Sequence, residues 1–157
     1  MFYYLNKKGC SICHPGNIRL FCESKFCMAN DEMLIVLIVD DSELVMEKMI
    51  CMLKELSNIK IVFQASSYAE AIIIIEEAEP DIVLMDIFLG NKVGMDLLKF
   101  LQAKYPSIEI GIISNHAGPH YRDICKKLGA HHFFDKSNDF ELIPKMIGNR
   151  RSIEKNN

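Results

Sequence analysis

Four short apolar runs in this chain each stop at a side chain suited to metal or phosphate chemistry. Residues 33–39 stop at Asp40, Asp41 and Ser42, and residues 81–85 stop at Asp86. Residues 108–113 stop at Ser114, and residues 131–134 stop at Asp135 and Lys136. One aspartate after an apolar run is ordinarily a solvated side chain, but matched groups at four such ends are a constellation. Three carboxylates brought together repel, so some must be protonated or a cation must sit among them. Mg²⁺ suits that place, because it prefers oxygen ligands and takes one or two carboxylates with waters and phosphate oxygens. A carboxylate beside such a cation can attack a phosphoryl group and become an acyl phosphate. Lys136 and the Ser114 hydroxyl would help neutralise the phosphoryl oxygens in the transition state. The sequence holds neither a P-loop nor a GxGxxG turn, so the site is not built for a nucleotide.

The elements that must bring these residues together follow from hydrophobic period. The run 33–39, rich in β-branched residues, and the run 81–85, opened by Pro80, read as strands buried on both faces. Residues 60–65, 108–113 and 131–134 complete five strands. Helical patterns alternate with them. The first runs to about Leu56 with a stripe of Leu44, Val45, Met49, Met52, Leu53 and Leu56. The second opens on a capping box, Ser67 with Glu70, which tips Ile72 to Ile75 from strand to helix. The third covers about 95–104 with Leu97, Leu98 and Leu101 inward, and stops at Tyr105-Pro106. The fourth covers about 118–128 and ends at Gly129. The fifth opens on Asn138 with Glu141 and ends near Ile147, with Pro144 in its first turn. Strict alternation gives an α/β fold, a parallel sheet with helices on both faces. Right-handed crossovers then place all the strand C-termini, and the five residues, on one edge.

A length of 157 residues fits one domain with a single core. A formal net charge of -3 offers no general attraction for nucleic acid, and none is expected as a partner. No apolar run approaches the ~20 residues of a membrane span, so no membrane partner is expected. The first residues lack the charged start and apolar stretch of a secretory leader, which points to a cytoplasmic location. Cys51 and Cys125 fall in helical patterns and read as small buried hydrophobes.

Residues 1–32 stand apart, with Cys10, Cys13, Cys22 and Cys27 and no clear period. They read as an extension that is either disordered or upstream of a natural start at Met28. Two chemical readings stand beside that one. The four thiols suit a zinc or other thiol site, and Cys10-Ser11-Ile12-Cys13-His14 fits a haem-attachment pattern that would require export. The domain proper is expected at 33–148, with a polar tail at 149–157.

The span from about 34 to 147 resembles a response-regulator receiver domain, the phosphoacceptor module of two-component signalling. The resemblance is carried by Asp40-Asp41, Asp86 within Leu84-Met85-Asp86-Ile87, Gly94, Ser114 and Lys136. It implies a flavodoxin-like five-stranded sheet in the order 2-1-3-4-5. It also implies that Asp86 accepts a phosphoryl group from a histidine kinase or phosphotransfer protein. Asp41, Asp86 and the Phe88 carbonyl would then hold Mg²⁺, with Asp40 acting mainly through water. Ser114 and Lys136 would hold the phosphoryl oxygens, and Phe133 would be the aromatic that turns as Ser114 is drawn in. Ser137 and Gly90 stand where the family often has proline, which bears on how long the phosphoryl group lasts.

About ten polar residues after Ile147 are too few for an output domain, so the expectation is a stand-alone, chemotaxis-regulator-like receiver. It would catalyse its own phosphotransfer and dephosphorylation without being an enzyme in the usual sense. It would signal to an unknown protein through the fourth helix, fifth strand and fifth helix, a face that could also carry a homodimer. Tyr121, Arg122, Lys126 and Lys127 lie on that fourth helix, where exposed charge is the default. His131 and His132 read as structural or exposed, and His116 lies close enough to influence dephosphorylation. The alternatives are a phosphorylation-independent pseudo-receiver and a metal or redox sensor using the N-terminal cysteines. A haloacid-dehalogenase-type phosphatase is disfavoured, because Phe88 stands where its second Asp belongs.

Overall fold

A computed structural model of the chain describes residues 3–5, 33–89 and 93–149. In chain order the elements are β1 (Tyr3–Leu5), β2 (Leu34–Val39), α1 (Glu43–Leu53), β3 (Ile59–Ala65), α2 (Tyr68–Ala78) and β4 (Ile82–Met85). They continue with α3 (Val93–Lys104), β5 (Glu109–Ser114), α4 (Pro119–Lys127), β6 (His132–Asp135) and α5 (Leu142–Gly148). The cysteines at 10, 13, 22 and 27, and Gly90, lie outside the described residues.

The sheet order is β1-β3-β2-β4-β5-β6. Strands β2 to β6 are parallel to one another and reproduce the expected 2-1-3-4-5 arrangement. A sixth strand was not anticipated. β1 lies antiparallel along the outer edge of β3, pairing Tyr3 with Phe63 and Leu5 with Ile61. Three residues of a segment read as an extension thus belong to the sheet. No period announces them, because a three-residue strand is too short to show one.

Alternation along the strands divides the interior in two. Leu37, Val39, Val83, Met85, Ile110 and Ile112 face one core, which α2, α3 and α4 close with Ile74, Ile75, Leu97, Leu98, Leu101 and Cys125. Val36, Ile38, Ile82, Leu84, Ile113 and Phe134 face the other, under α1 and α5. Covering both faces is why these strands read as unbroken apolar runs. Each fully buried Leu or Ile contributes about 1.5–3 kcal/mol over leaving it in water.

Ser42 starts α1 by accepting the Val45 N–H at 3.4 Å. The face packed on the sheet is Met46, Met49, Ile50 and Leu53, spaced i, i+3, i+4 and i+7. The expected stripe is therefore rotated. Leu44 is 76% exposed, Val45 and Met52 are half-buried, and Leu56 lies beyond the helix end. Cys51 falls off the same face and is exposed, contrary to expectation, whereas Cys125 is buried as expected.

α2 is helical through all four isoleucines, and Ser67 accepts the Glu70 N–H at 3.3 Å. The Glu70 carboxylate reaches one residue further back than a capping box requires, to the Ser66 N–H at 2.8 Å. These bonds from Ser66 hold the Glu70 pKa below its ordinary value. The second predicted capping box is absent. Asn138 instead donates to Asp135 at 2.9 Å, and α5 starts later, with no side-chain cap at Glu141. Asp135 competes successfully because it also accepts the Ser137 N–H, closing a tight turn before the helix can begin. Gly129, at φ +96°, ends α4 in the left-handed conformation that glycine adopts freely. Among the described residues no helix is long and apolar enough to cross a membrane.

Candidate functional site

The C-terminal ends of β2, β4, β5 and β6 meet at one edge, and the five predicted residues meet with them. Asp40 is 1% exposed, Asp86 7% and Ser114 0%, three polar groups in an otherwise apolar interior. Each uses one side-chain oxygen to accept the N–H two residues on. Ser42 N donates to Asp40 Oδ1 at 2.9 Å, Phe88 N to Asp86 Oδ1 at 3.0 Å, and His116 N to Ser114 Oγ at 3.1 Å. These short loops fix the side chains and leave both Oδ2 atoms and the Ser114 hydroxyl proton for other partners.

Lys136 supplies the partner for the carboxylates. Its Nζ lies 2.6 Å from Asp40 Oδ2 and 2.5 Å from Asp86 Oδ2, with the lysine side chain only 8% exposed. The contact with Asp86 is a directed hydrogen bond. The contact with Asp40 is an ion pair of poorer direction, and Asp40 Oδ2 has no well-aligned donor. Burial pushes the Asp40 carboxyl above its ordinary pKa despite the neighbouring ammonium. Burial also works against the charge on Lys136, but its two carboxylate partners together hold its pKa above the ordinary lysine value. The Lys136 N–H bonds the Ser114 carbonyl at 3.0 Å, tying the end of β6 to that of β5.

These groups border a cavity of about 280 Å³. Asp41, Asp86, Ser114 and Lys136 line it, together with Ser42, Val45, Phe88, Asn115 and His116. Asp41 is exposed at its wall and Asp40 is withdrawn beneath it. Sequence reasoning placed Ser42 at this edge without a role and missed Val45 and Asn115 as lining residues. Both stand near strand ends, which is the only signal that could have found them. His116 packs against Phe88 with ring centroids 4.5 Å apart and planes tilted by 50°, and Tyr121 meets Phe88 edge-on at 5.6 Å. Of the expected metal ligands, Asp41, Asp86 and Phe88 line this cavity, and Asp40 lies behind it, paired with Lys136. Among the described residues no three His, Cys, Asp or Glu side chains close on one point. A cation here would therefore draw on one or two carboxylates and complete its shell with water or phosphoryl oxygen. The imperfectly satisfied Asp40 Oδ2 and the open Asp41 fit Mg²⁺ on those terms.

Gly94, in the first turn of α3, abuts the backbone that follows Asp86. A Cβ there would overlap the Asp86 carbonyl and come within 2.6 Å of Ile87 Cα. Its close approach holds the loop that carries Phe88.

Phe133 is half-buried on β6, and the Arg122 guanidinium lies over its ring at 4.8 Å. Arg122 was expected as exposed charge on α4. It is turned back onto the protein, with all three nitrogens bonded to it. Lys126 and Lys127 are exposed. Of the two histidines at the start of β6, His131 is exposed and accepts the Ile110 N–H at 3.0 Å, while His132 pairs with Glu109 at 2.6 Å. Both are structural and lie at the opposite end of the strands.

Comparison with known proteins places this geometry. The family model for the response regulator receiver domain matches residues 36–148. The transcriptional regulatory protein DegU of Brevibacillus brevis is 25% identical over 118 residues, 75% of this chain and 50% of that protein. The transcriptional regulatory protein MalR of Bacillus subtilis is 29% identical over 126 residues, 78% of this chain and 52% of that protein. The chain thus spans about half the length of these relatives. Among solved structures, a Burkholderia pseudomallei response regulator with a phosphorylated aspartic acid, calcium ion and citrate superposes with a TM-score of 0.63. It is 24% identical, over 70% of this chain and 64% of that one, and shares the fold.

Proposed function

The chain belongs to the response regulator receiver domain family, and from that premise we propose that Asp86 is its phosphoacceptor. The observation that carries this reading is Lys136, whose buried ammonium sits within 2.6 Å of both Asp40 and Asp86 beside the Ser114 hydroxyl. A phosphoryl group arriving on Asp86 meets a cation already in place.

In the proposed reaction an Asp86 carboxylate oxygen attacks the phosphorus of a phosphohistidine on a histidine kinase or phosphotransfer protein. The P–N bond breaks, the histidine ring keeps that electron pair, and an acyl phosphate remains on Asp86. Lys136 follows the charge from the carboxylate to the new phosphoryl oxygens. The Ser114 hydroxyl, whose oxygen already accepts the His116 N–H, donates its proton to another phosphoryl oxygen. Asp40, Asp41, Asp86 and the Phe88 carbonyl would hold Mg²⁺, which supplies further positive charge to the phosphoryl oxygens when bound. Phe88 and His116 wall the cavity and limit the approach of water that would hydrolyse the product. The calcium ion and phosphorylated aspartic acid of the Burkholderia pseudomallei structure support the reading by likeness of fold.

The phosphoryl group adds about two negative charges at the site. The output is a change in the face made by α4, β6 and α5, read by a protein partner. DegU and MalR are transcriptional regulators by name, so DNA binding is the competing output. It would require residues beyond the receiver fold.

Intact mass after incubation with acetyl phosphate and Mg²⁺ tests the core of this reading. One added phosphoryl group is expected on the wild type. It should be absent from Asp86→Asn and from a sample treated with EDTA. No adduct, together with no response to beryllofluoride, sinks the phosphoacceptor reading.

A further inference from the structure

Arg122 makes more directed contacts than any partner-facing surface charge needs. Its Nε donates to the Ala117 carbonyl at 3.0 Å, one terminal nitrogen donates to the Phe133 carbonyl at 3.1 Å, and the other donates to Asp139 Oδ2 at 3.2 Å. Its positive charge also lies over the Phe133 ring. An exposed ion pair with Asp139 alone would do little, since the Arg122 side chain is 40% exposed. The placement of the three acceptors is what matters. Ala117 lies three residues after Ser114, and Phe133 and Asp139 lie three residues before and three after Lys136. One side chain on α4 therefore grips both segments that deliver the hydroxyl and the ammonium to the cavity. Asp139 Oδ2 passes the grip on by accepting the Asp135 N–H at 3.1 Å, one residue from Lys136.

Up to Ser114 and Asp135 the two segments are held by the pairing of β5 with β6, and the Lys136 N–H bond to the Ser114 carbonyl closes that ladder. Past the strand ends the ladder stops. Arg122 carries the connection on, tying the loop that follows Ser114, at Ala117, to Phe133 on β6 and to Asp139 in the turn that follows Lys136. Resting on the phosphoacceptor reading above, we propose that Arg122 is a positioning residue for phosphotransfer, holding the loop that follows Ser114 against the turn that follows Lys136 without touching the phosphoryl group. The role requires a planar, forked cation. Lysine keeps the charge and the ring contact but is a single point that cannot span three acceptors.

The test compares phosphorylation by acetyl phosphate and Mg²⁺, followed by intact mass, in the wild type and in Arg122→Lys, Arg122→Gln and Asp139→Ala. A stability control is Ile147→Val, at a fully buried position in the core beneath α1 and α5. Rates are taken well below each melting temperature and expressed per folded molecule. A small misplacement of catalytic groups is costly, so Arg122→Lys and Arg122→Gln are expected to react about 10-fold or more slowly. Asp139→Ala should slow the reaction too, and combining it with Arg122→Gln should add little, because both cut one connection. Ile147→Val should melt lower and react at the wild-type rate. Arg122 variants that melt lower but react like the wild type would make Arg122 a plain structural strut and overturn the proposal. A wild type that takes no phosphoryl group would overturn it along with the reading on which it rests. A wild type that is phosphorylated and indistinguishable from Arg122→Gln would overturn it alone.

Discussion

Lys136 stabilises the site only as long as it stays charged between two buried carboxylates. Removing one partner of such a group strands the others in an apolar interior, at a cost of about 3–5 kcal/mol. Lys136→Met is therefore expected to lose stability of that order near pH 7, read by chemical denaturation. The sign of its pH dependence follows from Asp40. Burial already raises the Asp40 pKa in the folded state, and loss of the ammonium removes the main influence opposing that rise. A carboxyl whose folded pKa exceeds its unfolded one destabilises the fold when ionised, and the penalty fades as pH falls through the folded value. The deficit of Lys136→Met should shrink as the pH is lowered from 7. A deficit that stays constant down to the onset of acid unfolding would mean that Asp40 is not the stranded charge. The five candidate residues, Asp40, Asp41, Asp86, Ser114 and Lys136, were legible in the sequence, because each sits one or two positions past an apolar run and a parallel sheet brings such ends together. Arg122 was not legible, because its three bonds go to a carbonyl, another carbonyl and a carboxylate set by tertiary packing. A surface arginine on a helix carries no mark of that in sequence.

At the scale of elements, α3 depends on a position where only hydrogen fits. Gly94→Ala would drive a methyl group into the backbone of Asp86 and Ile87. Overpacking of that kind costs about 1–3 kcal/mol. Here the strain falls on the loop that aims Asp86 and Phe88, so phosphorylation by acetyl phosphate should fall by more than stability does. A variant that loses stability and reacts at the wild-type rate would separate the helix from the site. The alternation of strands and helices, the inward leucines of α3 and the stop at Gly129 could all be read from sequence, since each rests on local period or local backbone chemistry. The inward face of α1 could not. Its sequence offers two overlapping apolar stripes, and packing against the sheet selects the one that carries Met46 and Ile50. Asn138 misled for a related reason. Its side chain had two local uses, and Asp135 claimed it for a turn.

At the scale of the molecule, the sheet order was legible through resemblance and the sixth strand was not. β1 occupies the outer side of β3, so every backbone N–H and C=O it covers there is withheld from any other chain. An uncovered parallel sheet edge is a template for strands of other molecules. A chain shortened to begin at Met28 would keep Asp86 on β4, three strands away from β1, yet would bare β3 at Ile61 to Phe63. Such a chain is expected to be phosphorylated normally while associating with rising concentration, as measured by light scattering. The full-length chain under the same conditions should scatter as a constant species. The opening residues would then serve as a stopper against self-templating, a role independent of signalling.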